Sequence, residues 1–206
     1  MSTRVSDPEA AMRKRPRQAR SRATVETIVE AGTRVLDSQG WSGFTTNEVA
    51  EVAGISIGSL YQYFPNKLAL VDAIRRRHFD DVLTVLRRAC ESRRGARDLV
   101  AEFVGNMIGV HSKYPALHRT LRDLPNPDGT RSTFEAFQEE YLHLYGALVA
   151  VFQGNRDGKV NETIVQILSS AVEGVIHNAA RREVLTQPKI KRELIKLMCC
   201  YLDVPS

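Results

Sequence analysis

The chain has 206 residues, of which 43% are hydrophobic and 26% charged, a composition that suits one good globular core or two modest ones. No apolar run approaches the roughly 20 residues that span a bilayer, and the N-terminus lacks the apolar segment of a secretory signal. Cys90, Cys199 and Cys200 form no metal-binding or disulfide pattern. We therefore expect a cytoplasmic protein and predict no membrane segment, no metal site and no cofactor.

The basic charge is concentrated near the N-terminus. Residues 1–22 hold seven basic and two acidic side chains, so their net charge of +5 equals the formal net charge of the whole chain. Few apolar residues accompany these charges, which predicts a flexible arm over residues 1–19 that follows a nucleic-acid backbone. A solvated tail without a DNA-binding role is the alternative.

A first helix is predicted where apolar residues recur at helical spacing from Val25 onward, and Gly40 ends it. Trp41 is expected to fill the junction behind this helix. Thr45, with Glu48 three residues later, has the pattern of a capping box at the start of a second, very short helix. The apolar side of that second helix is formed by Val49, Ala50 and Val52.

A third helix follows after a glycine turn at Gly54. Ser56 is expected to cap it, and over residues 57–64 it turns Leu60 and Phe64 toward the core, because these residues lie four apart. Two helices this short cannot bury a core by themselves. Their layout, with small, hydroxylated and amide side chains facing outward, is that of a helix-turn-helix, whose second helix enters the major groove.

Five short motifs follow one another through this region: Gly43-Phe44-Thr45-Thr46, Glu48-Val49-Ala50, Ala53-Gly54-Ile55-Ser56, Gly58-Ser59-Leu60-Tyr61, and Tyr63-Phe64 followed by Asn66-Lys67. Together they make residues 20–74 resemble the DNA-binding domain of TetR-type transcriptional regulators. The chain departs from the family pattern at Pro65, where many members carry a polar or basic residue. It also departs at Gln62, beside Tyr63, where aromatic or histidine pairs are common.

The resemblance implies a set of DNA contacts in and around the two short helices: Thr45, Thr46, Ser56, Ile57, Gly58, Ser59, Tyr61, Gln62, Tyr63 and Lys67. The hydroxyl of Tyr63 and the ammonium of Lys67 suit phosphate oxygens. Gln62 can form two hydrogen bonds with adenine, and Ile57 can meet a thymine methyl group. For Tyr61, packing against the first helix is as consistent with the sequence as contact with DNA.

Further helices are predicted along the rest of the chain, separated by breaks and turn-rich segments. They comprise a long helix from Asn66 to Ser92, a helix that ends before Tyr114-Pro115, a short helix around Leu117 and Leu121, an aromatic helix over 134–152, and two last helices that begin at Asn161 and Pro188. Residues 124–130 and 154–158 are turns. The sequence therefore predicts an all-α fold of about nine helices and no strand. The DNA-binding domain would cover residues 20–66, and helix 67–92 would join it to a second domain over 67–206.

The last two helices are apolar over more of their circumference than one packing face needs, which favours a homodimer formed through them. In the resembled family these helices form a four-helix bundle with a partner, and the middle helices of the second domain hold a small-molecule effector. The candidate effector-binding residues are Phe103, Met107, His111, Phe137, Tyr141, Tyr145, Glu173 and His177. The resemblance implies a repressor that an effector releases from a double-stranded DNA operator.

Two other classes of function compete with this interpretation. One is an architectural DNA-binding protein that has no effector. The other is a hydrolase, because residues 54–58 match the G-x-S-x-G pattern with Ser56 as the nucleophile. That pattern needs a strand before the serine, whereas a helix is predicted there, so we expect no catalytic residue.

Overall fold

A computed structural model describes residues 19–117, 120–121, 124, 133–154 and 160–203. Within these residues the chain forms helices and no strand, which confirms the predicted all-α class. The eight longer elements are α1 (Ala19–Gly43), α2 (Thr46–Val52), α3 (Ile57–Tyr63), α4 (Lys67–Glu91), α5 (Ala96–Lys113), α6 (Thr133–Phe152), α7 (Glu162–Arg181) and α8 (Pro188–Tyr201). All of the predicted arm (1–19) except Ala19, and most of the two predicted turns at 124–130 and 154–158, lie outside the described residues.

The chain divides into two compact units that do not follow the chain in a simple order. The first unit ends at Phe79 and also includes Ala116–Ala136, while the second comprises Asp80–Pro115 and Phe137–Ser206. Helix α4 contributes to both units. The sequence places a domain boundary at residue 66, where the DNA-binding motifs end. That functional boundary stays a prediction.

The predicted helix starts are present at five positions. Hydroxyl caps hold α2 and α3, where the backbone N–H of Glu48 donates to Thr45 Oγ1 and that of Ser59 donates to Ser56 Oγ, each at 3.1 Å. Asn side chains cap α4 and α7 in the same way, and proline occupies the first turn of α8. The carboxylate of Glu48 accepts a hydrogen bond from the Gln39 amide at 3.0 Å, so the capping box is formed on one side only.

Two glycines with positive φ shape the region around the short helices. Gly40 has φ 64° and ψ −170°, which interrupts the helical backbone of α1 and confirms that the regular first helix ends there. Gly54, with φ 66°, makes the turn between α2 and α3. Both conformations are strained for residues with a Cβ atom, so these two positions favour glycine.

The core of the first unit lies behind α2 and α3. Its members are fully buried, and they include Ile28, Leu36, Phe44, Leu60, Phe64 and Leu70. Leu60 and Phe64 therefore face inward as predicted. Val52 was expected on the apolar side of α2 but is exposed, and the buried residues of that helix are Val49 and Ala50.

Within the first unit, a charged side chain of α1 binds the segment that precedes α6. Leu117 and Leu121 are helical and buried, as predicted. The Asp37 carboxylate of α1 accepts hydrogen bonds from the backbone N–H groups of Ala116, at 2.8 Å, and Leu117, at 3.0 Å. Asp37 thus caps the beginning of this short helix from a distant part of the chain.

We expect Asp37→Ala to destabilise the first unit by about 1–3 kcal/mol, because two backbone donors lose their acceptor. Asp37→Asn keeps an acceptor oxygen and should cost less than about 1 kcal/mol. Urea unfolding followed through the emission of Trp41, the one tryptophan of the chain, measures both variants. Equal losses in the two variants would contradict this assignment.

The same carboxyl group predicts a dependence of stability on pH. Burial raises the pKa of Asp37, and this outweighs the hydrogen bonds from Ala116 and Leu117, which lower it. The folded protein therefore holds this proton more tightly than the unfolded chain, so the contribution of Asp37 to stability falls as pH rises from about 4 through the raised pKa. Asp37→Asn should remove that fall.

The second unit is built from the end of α4 and from α5 to α8. Its buried residues include Leu86, Val100, Phe103, Leu148, Val172 and Met198. One ion pair in it joins two helices, since Arg87 of α4 lies 2.6 Å from the carboxylate of Glu140 on α6. Among the described helices, none is both long enough and apolar enough to cross a membrane.

Candidate nucleic-acid interface and buried polar cluster

Helix α3 and its N-cap residue Ser56 present small and polar groups to solvent. Ser56, Ile57, Gly58 and Gln62 are exposed, and Ser59 is half-buried. A Cβ atom built at Gly58 would meet only Ser56 Oγ, at 3.9 Å, so the backbone here is open to close approach. This surface combines a bare backbone, an amide and an aliphatic side chain, which are the groups that contact phosphates and base edges.

The hydroxyl groups of this surface are organised by hydrogen bonds. Ser56 Oγ lies 2.8 Å from Ser59 Oγ and also caps α3. Tyr61 Oη lies 3.0 Å from Thr46 Oγ1, which ties α3 to α2. Because Tyr61 is 40% exposed, its packing in the core is disfavoured, and its ring remains accessible to a ligand.

Tyr63 departs from the sequence prediction. It was expected on the outward surface of α3, but only 9% of it is exposed, and it packs with Leu60 as a buried residue of that helix. The reason is geometric, since positions 60, 63 and 64 share one face of a helix. That the Tyr63 hydroxyl contacts phosphate stays a prediction, and it requires the hydroxyl to lie within the exposed fraction.

Lys67, the first residue of α4, contacts Trp41, for which the sequence predicts no functional role. Its Nζ atom donates to the backbone carbonyl of Trp41 at 3.2 Å and lies 3.5 Å from the centre of the Trp41 ring. The ring of Phe44 is 5.6 Å away. Partial burial lowers the pKa of Lys67, while the ring face and the carbonyl favour the charged ammonium.

The eight candidate effector-binding residues form one continuous cluster in the second unit. Two ring contacts run between helices, Phe103 to Tyr145 (5.8 Å between ring centres) and His111 to His177 (5.1 Å). The charge of Glu173 on α7 also raises the pKa of Tyr141 on α6, which places these two side chains in one neighbourhood. Contacts within single helices complete the set through Phe137, Tyr141 and Tyr145 on α6, Glu173 and His177 on α7, and Met107 and His111 on α5. The structure thus brings together residues from three helices that the sequence could only nominate separately.

Two tyrosines and one histidine of this cluster are buried in a largely apolar environment. Burial raises the pKa of Tyr141 and Tyr145, and it lowers that of His111, so at neutral pH all three side chains are uncharged. The Tyr145 hydroxyl is fully buried and has no hydrogen-bond partner within the described structure. An unsatisfied buried hydroxyl costs about 1–3 kcal/mol and is therefore a group that a ligand acceptor could satisfy.

Helices α2 and α3 are short, have capped N-termini and are joined by a turn in which Gly54 has a positive φ. With the polar outward face of α3, this arrangement defines a helix-turn-helix protein. Residues 28–74 match the family model described as bacterial regulatory proteins, tetR family, and residues 96–202 match the one described as tetracyclin repressor-like, C-terminal domain. The second match alone covers more than half of the chain. The chain therefore belongs to the TetR family of bacterial transcriptional regulators, which confirms the predicted class and sets aside the hydrolase alternative.

Curated relatives match over part of their length. An uncharacterised HTH-type transcriptional regulator of Mycobacterium tuberculosis is 36% identical over 93 residues, which are 45% of this chain and 40% of that protein. The HTH-type transcriptional activator FasR of Mycolicibacterium smegmatis is 34% identical over 62 residues, 30% of this chain and 28% of that protein. The matches thus span less than half of these relatives.

Solved structures share the fold across nearly the whole chain. The fatty acid degradation regulator FadR from Bacillus halodurans superposes with a TM-score of 0.67 at 14% identity, covering 92% of this chain and 96% of that one. FadR from Bacillus subtilis, in complex with stearoyl-CoA, gives a TM-score of 0.62 at 15% identity over 86% and 95%. At these identities the likeness is one of fold.

No periodic pattern or motif in the sequence indicates the contact between Trp41 and Lys67, and none indicates the cap at Asp37. A lysine at the first position of a helix, where cations are disfavoured, is the one local sign that Lys67 needs a partner. Asp37 directly follows the buried Leu36, which is the only hint that it faces inward.

Proposed function

We propose that this protein is a homodimeric repressor that binds a double-stranded DNA operator through α2 and α3, and that a small-molecule effector bound in the second unit releases it. It acts in the cytoplasm, where bacterial DNA is accessible. The observation that carries the DNA-binding part is the outward surface of α3, with its exposed Ile57, Gly58 and Gln62 opposite a fully buried Leu60. The ten DNA-contacting residues named from the sequence are proposed as that interface.

The effector site is proposed at the cluster of eight residues on α5, α6 and α7. Its apolar rings suit an apolar or amphipathic molecule, and the buried Tyr145 hydroxyl supplies a donor for one acceptor group. The stearoyl-CoA bound to FadR from Bacillus subtilis supports the view that this fold accepts a large amphipathic ligand.

The dimer is proposed to form through α7 and α8, which expose apolar side chains that a monomer leaves in water. Members of the family typically act as dimers. A symmetric dimer would place two α3 helices about 34–36 Å apart, in successive major grooves of the operator. An effector that binds better to a different spacing of these helices would lower operator affinity.

The proposed function is tested by selecting duplexes from a randomised library with the full-length protein. We expect a palindromic consensus with half-sites about one helical turn apart. A thermal-shift screen that includes fatty acids and acyl-CoA esters should then identify a stabilising molecule. It should weaken binding to the selected duplex about 5–150-fold, as a coupling of 1–3 kcal/mol implies.

Other outcomes of this experiment point to other functions. A selected duplex with no stabilising molecule would favour an architectural protein. An effector that strengthens DNA binding would favour an activator, the role named for FasR. No enrichment of any duplex would contradict the DNA-binding proposal itself.

Gln62→Ala and Lys67→Ala should weaken DNA binding in different ways. We expect Gln62→Ala to cost about 1–3 kcal/mol and to relax the preference at one operator position, because an exposed amide would be lost from a base edge. Lys67→Ala should weaken all duplexes alike and reduce the slope of log affinity against log salt by about 0.9. Binding to every single-base variant of the selected duplex separates the two patterns. An unchanged base profile in Gln62→Ala would remove Gln62 from the interface.

A further inference from the structure

Lys67 occupies a position that is unfavourable for a lysine. It is the first residue of α4, where the free backbone N–H groups and the helix dipole repel a cation, and the first turn of α4 contains no acidic residue. Most sequences place an Asp, a Glu or a neutral residue at such a position. A cation that is kept there needs a compensating contact.

Trp41 supplies that contact twice. Its carbonyl oxygen accepts a hydrogen bond from Lys67 Nζ at 3.2 Å, and its indole face lies 3.5 Å from the same atom, close to the shortest separation at which a cation meets a ring. The indole is itself held by the buried Phe44, whose ring is stacked with it at 6.2 Å and 19°. Gly40, with its positive φ, sets the backbone direction that leads into Trp41.

The ammonium remains available to a ligand in this arrangement. Among the described residues, Lys67 makes its hydrogen bond to Trp41 alone, which uses one of the three ammonium donors. The side chain is half-buried and keeps access to solvent. The ammonium also lies 5.6 Å from the ring of Phe44, which directly precedes Thr45, one of the predicted DNA contacts.

We propose that Trp41 is a positioning residue for DNA binding, which holds the Lys67 ammonium in place so that two of its donors can meet a backbone phosphate. This inference rests on the proposed operator binding. Holding a flexible lysine in advance reduces the entropy lost when the contact forms. Because a phosphate carries no sequence information, Trp41 should affect affinity for all duplexes equally and leave the sequence preference unchanged.

The test measures dissociation constants for the duplex selected by the wild-type protein and for a scrambled duplex of the same length. Trp41→Leu removes the ring but keeps the carbonyl, and it should weaken both duplexes by a common factor of about 3 to 10. Trp41→Phe keeps a smaller ring and should recover part of this loss. Tyr114→Leu is the matched control, since Tyr114 also lies beside a lysine, with Lys113 Nζ 4.9 Å from its ring. It should leave both constants unchanged.

A double-mutant cycle separates positioning from packing. In the Lys67→Met protein, adding Trp41→Leu should change either dissociation constant by less than about 2-fold, because there is no ammonium left to position. An equal loss with and without Lys67, or no loss in Trp41→Leu, would overturn the inference. A wild-type protein that enriches no duplex in the selection would instead refute the proposed function.

A second measurement uses Trp41 itself and does not depend on whether Trp41→Leu folds. Because Trp41 is the only tryptophan in the chain, its emission reports directly on the contact with Lys67. We expect the emission of wild-type protein to change when the selected duplex is added, and the change to be smaller in Lys67→Met. The same emission change in both proteins would count against a coupling between Trp41, Lys67 and DNA.

Discussion

Gly174→Glu should convert the proposed dimer into a monomer and weaken operator binding by at least about 100-fold, because a monomer loses the second half-site. Apart from the backbone of its own helix and its two chain neighbours, no described atom lies within 4 Å of a Cβ atom built at Gly174, so the protomer has room for the added side chain. At the centre of an apolar interface, the added carboxylate would be buried without a partner. Such a charge costs several kcal/mol, enough to separate two subunits.

The surface around Gly174 explains why this interface is expected. Ile167, on α7, is 49% exposed, and Leu197, on α8, is 43% exposed. Residues 167, 171 and 174 share one face of α7, and residues 197 and 201 share one face of α8, since both sets have helical spacing. Large apolar side chains grouped on the faces of two adjacent helices indicate a protein interface.

Gly109→Glu is the matched control for this experiment. Gly109 lies on α5 of the same unit, is exposed, and likewise has open space around a built Cβ atom. The same substitution there should leave both the dimer and the dissociation constant unchanged. Sedimentation velocity at micromolar concentration measures the assembly state. A monomeric wild-type protein, or a Gly174→Glu protein that remains dimeric, would contradict the proposed interface.

Local signals were sufficient to predict several helix starts and turns in both units. Capping residues such as Ser56, Asn66 and Asn161 act on backbone groups two or three positions away, so their patterns can be read directly from the chain. Gly40 and Gly54 themselves adopt positive φ angles, so the helix end and the turn that they form could also be predicted from the sequence. Aromatic periodicity marked the buried face of α6 that carries Phe137, Tyr141 and Tyr145, while their role in binding an effector stays a prediction.

Contacts between distant parts of the chain were not predictable in the same way. Trp41 and Lys67 are 26 residues apart, and Asp37 and Leu117 are 80 apart, so no local period links them. The burial of Tyr63 was missed because neighbouring positions of a helix can face opposite ways: Gln62 is exposed, whereas the next residue, Tyr63, is buried. The burial of Arg75 was also not predicted, because no local pattern links this residue of α4 to the distant carbonyl groups that it binds.

Arg75 is the most deeply buried charge in the described structure. It is 2% exposed and donates through Nη2 to the carbonyl oxygens of Leu121, at 3.2 Å, and Leu124, at 3.4 Å. Burial lowers the pKa of its guanidinium, an effect that the nearby carboxylate of Asp72 partly offsets. Arginine nevertheless stays protonated in proteins, so a full positive charge binds the far end of the segment that Asp37 caps at its beginning.

Arg75→Met should lower the free energy of unfolding of the first unit by about 3–5 kcal/mol. Methionine fills much of the volume but leaves two buried carbonyl groups without their donor, and it removes a cation beside Asp72. Arg34→Met is the control, because Arg34 is also on a helix, pairs with Glu30 at 3.5 Å, and has a side chain that is 66% exposed. An exposed pair of this kind should change stability by no more than about 0.5 kcal/mol. Urea unfolding followed through Trp41 reports on the unit that contains both residues, and similar losses in the two variants would show that the buried guanidinium does not hold this segment in place.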